Sequence, residues 1–474
     1  MNRTMTPALM QQTEKRAFDQ GVPALLLMEN AARGIAEALD SMLNGQKGRV
    51  LFAAGSGNNG GDAIAAARIY REMGGEAVLW LPLSCKTDSA GQNLAFARYL
   101  GIEVSESLPE GPFDAAVDGL LGTGLQGAAR GDAEKAIEQL NALSLPVLAI
   151  DIASGIDGTS GAHGAAVKAT VTAALHRVKP GTYLVQPRSL SGKVLCLPIG
   201  LPQEDNGEGY FVYEKSDLPH LLPPRAMDAH KGTCGRVSLL CGSMGMAGAA
   251  AMAAESCLRA GAGLVTVLCD REVMPILQTL VPNAMCAEPD HIAASDALLI
   301  GCGLPVNEEQ HQRMRSVYDP EKPAVLDAGA LRMLSQAPFP LGKKTVLTPH
   351  AGEAAALLGV DIASVLSDPV GSAREILRRY GCGVVVFKNA VTVICDETRT
   401  ALNVTGSPAL AKGGSGDLLA GLMAGLLPTM PDAFEAACTA CLWMGCAGEL
   451  AEERFGVRSP LTRDILTLLT EVTK

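Results

Sequence analysis

Short apolar runs recur along the 474-residue chain, separated by longer stretches in which apolar residues return at helical spacing. The runs predict buried strands and the stretches predict crossover helices, the alternation that builds a parallel sheet with helices on its faces. A first block opens with a helical pattern over residues 24–43, a strand at 49–54, a Gly-rich turn and a helix over 61–73; strands at 77–83, 114–117 and 146–150 follow. A second block begins with a strand inside 235–242. It continues with strands near 263–268, 297–300, 324–326, 345–347, 383–387 and 391–395, and closes with helices over 414–427, 431–453 and 459–472. Between the blocks Pro202, Pro219, Pro223 and Pro224 interrupt any regular element. The fold class is therefore α/β twice over. The predicted division is an N-terminal domain over 1–215, a linker over 216–228 and a C-terminal domain over 229–474.

Composition narrows the function. Apolar residues make up 48% and charged residues 19%, a balance that packs a core rather than leaving a disordered chain. The formal charge of −11 argues against nucleic acid or an anionic membrane as partner. It leaves room for small anionic substrates, which backbone N–H groups hold without net positive charge. Residues 1–21 mix polar and charged positions and no apolar run reaches membrane-spanning length, so a cytoplasmic protein is expected. The 13 cysteines are scattered, and the CxxC at Cys438 and Cys441 lies in an Ala-rich helical pattern. Buried thiols are expected there rather than a metal or redox centre.

In the first block, Gly55-Ser-Gly57-Asn-Asn-Gly60 fits the GxGxxG spacing of a dinucleotide turn. The following strand, however, ends in Leu81-Pro-Leu-Ser84 and offers no acidic residue for a ribose, which counts against an NAD-dependent dehydrogenase. Polar oxygens recur instead at three strand ends, in Asn59, in Asp118 and in Asp151-Ile-Ala-Ser154. Strand C-termini converge on one crevice in an open parallel sheet. Asn59, Asp118 and Ser154 can thus share a hard-cation site, with Asp151 as a general acid or base. Helix capping is the alternative for Asp118 and Asp151 taken singly.

Gly57-Asn-Asn-Gly-Gly-Asp62, Val117-Asp-Gly-Leu-Leu-Gly-Thr-Gly124 and Asp151-Ile-Ala-Ser-Gly155 together resemble the NAD(P)H-hydrate epimerase family, the YjeF N-terminal type, over about residues 10–215. Met28-Glu-Asn-Ala-Ala-Arg33 and Val178-Lys-Pro-Gly181 resemble its flanking segments. The resemblance implies a Rossmann-like three-layer domain that interconverts the R and S forms of hydrated NADH or NADPH. It implies potassium at Asn59, Asp118 and Ser154. The hydrate would be bound by Asn58, Asn59, Gly60, Gly61 and Asp62 and by Gly122, Thr123, Gly124, Leu125, Gln126, Gly127 and Ala128, with Asp151 acting on it. Ala63 and Ala153 stand where the family usually carries Gly and Pro.

The second block carries its clearest chemistry at Gly413-Gly-Ser-Gly416-Asp417, which opens a helix. Small residues let consecutive N–H groups face an anion, and the helix N-terminus adds partial positive charge. An aspartate beside such a hole can deprotonate a hydroxyl as it attacks a phosphoryl group. His350, between Pro349 and Glu353, reads either as a helix cap or as a site residue.

Asn403-Val-Thr-Gly-Ser-Pro-Ala-Leu-Ala-Lys-Gly-Gly-Ser-Gly-Asp417, with the turns at 242–249, 300–303 and 348–353, resembles the ribokinase-like NAD(P)H-hydrate dehydratase family, the YjeF C-terminal type, over about residues 228–474. The resemblance implies ADP-driven loss of water from the S hydrate, with Mg2+ accompanying ADP. The nucleotide would lie on Lys388, Asn389, Ala390, Val391, Thr392 and Gly416; Ala249, Gly303, His350 and Asp417 would contact the hydrate, Asp417 as the catalytic residue. Cys302 and Pro305 depart from the usual GPGLG, Ala351 from Pro and Asn389 from Gly. A bifunctional repair enzyme, expected as a homo-oligomer, explains both blocks. A ribokinase-like small-molecule kinase with a non-catalytic N-terminal binding domain is the alternative.

Overall fold

The computed structural model describes residues 2–125, 127–202, 208–290 and 294–473, and the chain divides into two compact units between Tyr210 and Phe211, with Asn2 joining the second. This seam lies ahead of the boundary read at 215. Phe211, Tyr213 and Leu218 are buried in the core of the C-terminal unit, so the expected linker over 216–228 begins inside that unit's packing.

In the N-terminal unit the described residues form a seven-stranded sheet, parallel throughout. Its spatial order is Glu103–Ser105, Glu76–Trp80, Arg49–Ala54, Ala115–Gly119, Val147–Ile150, Val171–Leu175 and Lys193–Leu197. The strand Arg49–Ala54 shows why the unit has three layers. Val50, Phe52 and Ala54 enter the core under the helices Ala24–Met42 and Asn58–Glu72, while Leu51 and Ala53 enter a second core with Ile137 and Leu140 of the helix Asp132–Ala142. A strand buried on both faces reads as one continuous apolar run. The chain order reverses at Arg49–Ala54, which pairs with Glu76–Trp80 on one side and Ala115–Gly119 on the other. Ligands of such sheets gather at that switch point. The polar N-terminal stretch also folds: Thr6 caps a helix over Pro7–Asp19 that buries Leu9, Met10 and Thr13.

In the C-terminal unit the described residues form an eleven-stranded mixed sheet. Seven strands from Met285–Ala287 across to Val384–Phe387 are parallel; Thr392–Cys395 and Thr400–Asn403 then run antiparallel as a meander. The switch strand is Arg236–Leu240, between Leu264–Leu268 and Ala297–Ile300. The helices Ala247–Arg259 and Ser415–Leu426 approach closely because the second carries glycine at the contact. A Cβ on Gly421 would stand 2.2 Å from the Ala253 carbonyl oxygen, and one on Gly425 would stand 2.5 Å from that of Cys257. All 13 cysteines are free, and Cys438, Cys441 and Cys446 are core residues, as the Ala-rich pattern predicted. Among the described residues no helix is long and apolar enough to cross a membrane.

The helix contact fixes where Asp417 sits, so Gly421→Ala tests it. The added methyl meets a backbone oxygen that cannot swing aside, and the expected loss is about 1–3 kcal/mol. A lower calorimetric midpoint for the C-terminal unit checks this; an unchanged midpoint would mean that the helices have room to separate.

Candidate functional site

At the N-terminal switch point Asp118, next to last in the strand Ala115–Gly119, is fully buried. One carboxylate oxygen accepts from Ser154 Oγ at 2.6 Å and from the Leu120 N–H at 3.2 Å, and the other accepts from the Ser154 N–H at 2.8 Å. Asn59 Nδ2 donates to the Leu121 carbonyl at 3.0 Å, the same oxygen that Ser154 Oγ approaches at 3.0 Å. The three residues expected to share a cation site therefore meet around one strand-end turn. Burial raises the Asp118 pKa to about 6, against the lowering effect of its bonds to Ser154 and Leu120. Every hydrogen bond it receives comes from a neutral group. A buried carboxylate ringed by oxygens and neutral donors is chemistry that fits a hard monovalent cation.

Asp151 stands on the next strand end with a different partner. Lys179, fully buried, is ion-paired with it and also donates to the Leu175 carbonyl at 2.9 Å. The Leu175 N–H donates to the same Asp151 oxygen at 3.0 Å. Asp151 has φ +64°, a left-handed conformation that Asp enters more readily than most residues. It is no helix cap. Asp62 is buried near this pair, and burial first, then the charges of Asp151 and Glu14, hold its carboxyl well above the ordinary range. Glu14 belongs to the helix Pro7–Asp19, which the sequence did not announce. Lys179 was legible only as part of a flanking motif, since nothing in its neighbours signals a buried partner 28 positions away.

Gly60 and Gly61, read as hydrate contacts, have a packing requirement of their own. A Cβ on Gly60 would lie 2.0 Å from the Gly55 carbonyl oxygen, and one on Gly61 would lie 2.6 Å from the Met28 side chain. Gly122 lies against Asn59, where its Cβ would be 3.1 Å from that of Asn59. Asn58 is exposed; Thr123, Gly124, Leu125, Gly127 and Ala128 continue the turn after Gly122, and Gln126 lies outside the described residues. Ala63 is not in the loop but in the core, beneath Gly119, where a second methyl would come within 2.6 Å. The glycine at 119 leaves room for the alanine at 63.

In the C-terminal unit Asp327 follows the strand Ala324–Leu326 and is buried. It accepts from Lys388 Nζ at 2.6 Å and from Thr348 Oγ1 at 2.7 Å. Gly416 leaves this pair uncovered: a Cβ there would be 3.6 Å from both Asp327 Oδ2 and Lys388 Nζ. Asp417, in the first turn of its helix, has its pKa raised to about 6 by burial and by Asp327, against Cys302 and Lys388, which lower it. Burial works against a charged Lys388, but Asp327 and Glu353 hold its ammonium above the ordinary value. Asp327 was missed although its strand was read; the strand-end rule that found Asp118 and Asp151 applies to it equally.

His350 does cap a helix. Its Nδ1 accepts from the N–H groups of Gly352 at 3.0 Å and Glu353 at 3.3 Å, and Glu353 accepts from the His350 N–H at 3.0 Å in return. Nε2 lies 3.4 Å from Glu353 Oε1, and the backbone of His350 bridges to Lys388, so the cap also borders the site. Gly303 (φ +68°) sits against Ala249, whose Cβ would be 3.0 Å from one placed on Gly303. Lys388 to Thr392 form the turn between two antiparallel strands, with Asn389 Oδ1 accepting from the Ala390 N–H at 2.8 Å.

A family described as NAD(P)H-hydrate dehydratase matches residues 237–471, and one described as YjeF-related protein N-terminus matches residues 24–181. The bifunctional NAD(P)H-hydrate repair enzyme Nnr of Escherichia coli (strain K12) is 35% identical over 437 residues, covering 89% of this chain and 84% of that protein. Its namesake from Coxiella burnetii is 32% identical over 486 residues, covering 96% of each. Among solved structures, the ADP/ATP-dependent NAD(P)H-hydrate dehydratase from Bacillus subtilis, co-crystallized with ATP/Mg2+, is 31% identical with a TM-score of 0.51 and covers 55% of this chain and 96% of that one. A ribokinase-like superfamily protein from Enterococcus faecalis is 27% identical with a TM-score of 0.51, covering 56% and 97%. The C-terminal unit thus has a ribokinase-like fold, and the chain belongs to the family of bifunctional NAD(P)H-hydrate repair enzymes.

The Asp327–Lys388 pair makes a prediction independent of any substrate. Lys388→Met strands a buried carboxylate and costs about 3–5 kcal/mol. Adding Asp327→Asn to that variant restores much of the loss. Denaturant unfolding of the two variants decides it, and equal stabilities would show that the pair is not the source.

Proposed function

We propose that the C-terminal unit dehydrates the S form of hydrated NADH or NADPH with ADP as phosphoryl donor, and that the N-terminal unit interconverts the R and S forms. The observation that carries the first half is the half-buried carboxyl of Asp417 at a helix N-terminus beside the Lys388 ammonium. With a pKa of about 6, Asp417 is ionised near neutrality and basic enough to accept a proton from a substrate hydroxyl. The hydroxyl oxygen then bonds to the terminal phosphorus of ADP, and the bond to the bridging oxygen breaks to release AMP. The N–H groups at the start of the helix Ser415–Leu426 receive the phosphate charge. Phosphorylation replaces hydroxide with phosphate as leaving group, and the ring nitrogen's electron pair expels it. Proton loss from the neighbouring carbon completes the dihydronicotinamide. Mg2+ bound with the nucleotide would neutralise its phosphates. Lys388 to Thr392 and Gly416 would hold the nucleotide, and Ala249, Gly303 and His350 the hydrate.

In the N-terminal unit, Asp151 presents an acceptor kept in place by Lys179 and the Leu175 N–H. Asp62 stands beside it, its carboxyl pushed well above the ordinary range by burial and then by the charges of Asp151 and Glu14. A carboxyl paired with a buried lysine, next to one that burial biases toward its neutral form, suits acid–base exchange on one substrate. Potassium held by Asn59, Asp118 and Ser154 would neutralise the buried carboxylate and fix the turn that leads into Gly122. The full chain is expected to assemble as a homo-oligomer, and sedimentation checks that.

Asp417→Asn should lower dehydration by about 10²–10⁴-fold while leaving epimerisation intact, and Asp151→Asn should do the reverse. Recovery of dihydronicotinamide absorbance from R/S hydrate mixtures with ADP measures both; loss of the same step in both variants overturns the assignment. The wild-type kcat/KM for dehydration should rise as pH climbs through about 6, because the base must lose its proton.

Asp118 gives a separate test. A carboxyl whose folded-state pKa is raised stabilises the fold while protonated and loses that contribution as pH climbs through about 6. Potassium at constant ionic strength should therefore raise the melting midpoint of the N-terminal unit well above pH 6 and have little effect well below it. Equal effects on both sides would overturn the site.

A further inference from the structure

One group at the C-terminal site contacts no reactant in the reaction above: the Cys302 thiol. It follows the strand Ala297–Ile300, is fully buried, and lies among the carboxylates, with Sγ 3.9 Å from Asp327 Oδ2. One ligand atom from each of Cys302, Asp327 and Asp417 falls within 4.8 Å of the others. We propose that Cys302, Asp327 and Asp417 form a binding site for a thiophilic divalent cation, represented by Zn2+, and that its occupation removes the base from the dehydration reaction. The inhibitory half rests on the dehydratase reading; the binding half does not.

The donor chemistry selects the cation. Two carboxylates alone would suit Mg2+ or Ca2+, hard ions that prefer oxygen. A thiolate turns the set toward Zn2+, Co2+ or Cd2+. Two carboxylates and a thiolate carry three negative charges, which a divalent cation and the Lys388 ammonium together neutralise. The thiol proton leaves to solvent when the metal–sulfur bond forms, because only the thiolate ligates. Tetrahedral Zn2+ bonds of about 2.0–2.3 Å place ligand atoms about 3.5 Å apart, so small side-chain rotations bring these donors into range. Three protein ligands leave a fourth position for water or a phosphate oxygen. With its oxygen on the metal, Asp417 can no longer take up a proton.

Metal-free full-length protein titrated with Co2+ should develop a thiolate-to-cobalt charge-transfer band that Cys302→Ser abolishes and Cys196→Ser, at an exposed cysteine, retains. Zn2+ should inhibit dehydration, measured against each protein's own metal-free rate, with a constant about 100-fold weaker in Cys302→Ser. Circular dichroism of Cys302→Ser matching wild type excludes misfolding as the cause. A band that survives in Cys302→Ser, or Zn2+ inhibition equal in both proteins, overturns the proposal. A Cys302-dependent band in a protein that dehydrates no hydrate upholds the metal site and overturns the dehydratase reading instead.

Discussion

Desolvation of carboxylates at strand ends governs both units of this protein. A parallel sheet aims its strand C-termini at one crevice, and a carboxylate placed there leaves water and needs compensation. The chain answers in three ways. Asp151 and Asp327 each receive a lysine, the buried Lys179 and the partly buried Lys388. Asp118 receives only neutral donors, and burial raises its pKa to about 6. Asp417 receives partial help and keeps a pKa of about 6, the value that makes a carboxyl useful as a base near neutrality.

Packing makes these arrangements possible by letting backbones approach where the charges sit. Gly421 and Gly425 admit the carbonyls of Ala253 and Cys257, and the helix that begins at Ser415 is thereby pressed against the helix Ala247–Arg259. Gly416 then leaves Lys388 and Asp327 open toward Asp417. In the other unit Gly60 closes on Gly55 and Gly119 accommodates Ala63, so the first turn of the helix Asn58–Glu72 sits tight on the switch strand. Glycine thus serves helix contact as well as strand-to-helix turns.

The structure also separates two functions that one residue type can serve. His350 is a helix cap through Nδ1 and a neighbour of Lys388 through its backbone, so the two sequence readings of it are compatible. Asp118 and Asp151 are not helix caps at all, because their oxygens are taken by Ser154, Leu120, Lys179 and Leu175.

The sequence by itself determined the two α/β blocks, the switch-point turns and the candidate residues at strand ends, because apolar periodicity and Gly-rich turns are local properties. Asn59, Asp118 and Ser154 do meet around one turn, as converging strand ends of one sheet allow. What the sequence left undetermined was every partnership that spans the chain. Lys179 with Asp151, Lys388 with Asp327, Glu14 beside Asp62, and Cys302 with Asp327 and Asp417 depend on which elements pack side by side. So do the pKa values of Asp118 and Asp417, because desolvation is set by the whole shell around a group and not by its neighbours in sequence. The seam at Tyr210 moved for the same reason: Phe211, Tyr213 and Leu218 follow a polar, Pro-rich pattern in sequence, yet the C-terminal core claims their surface.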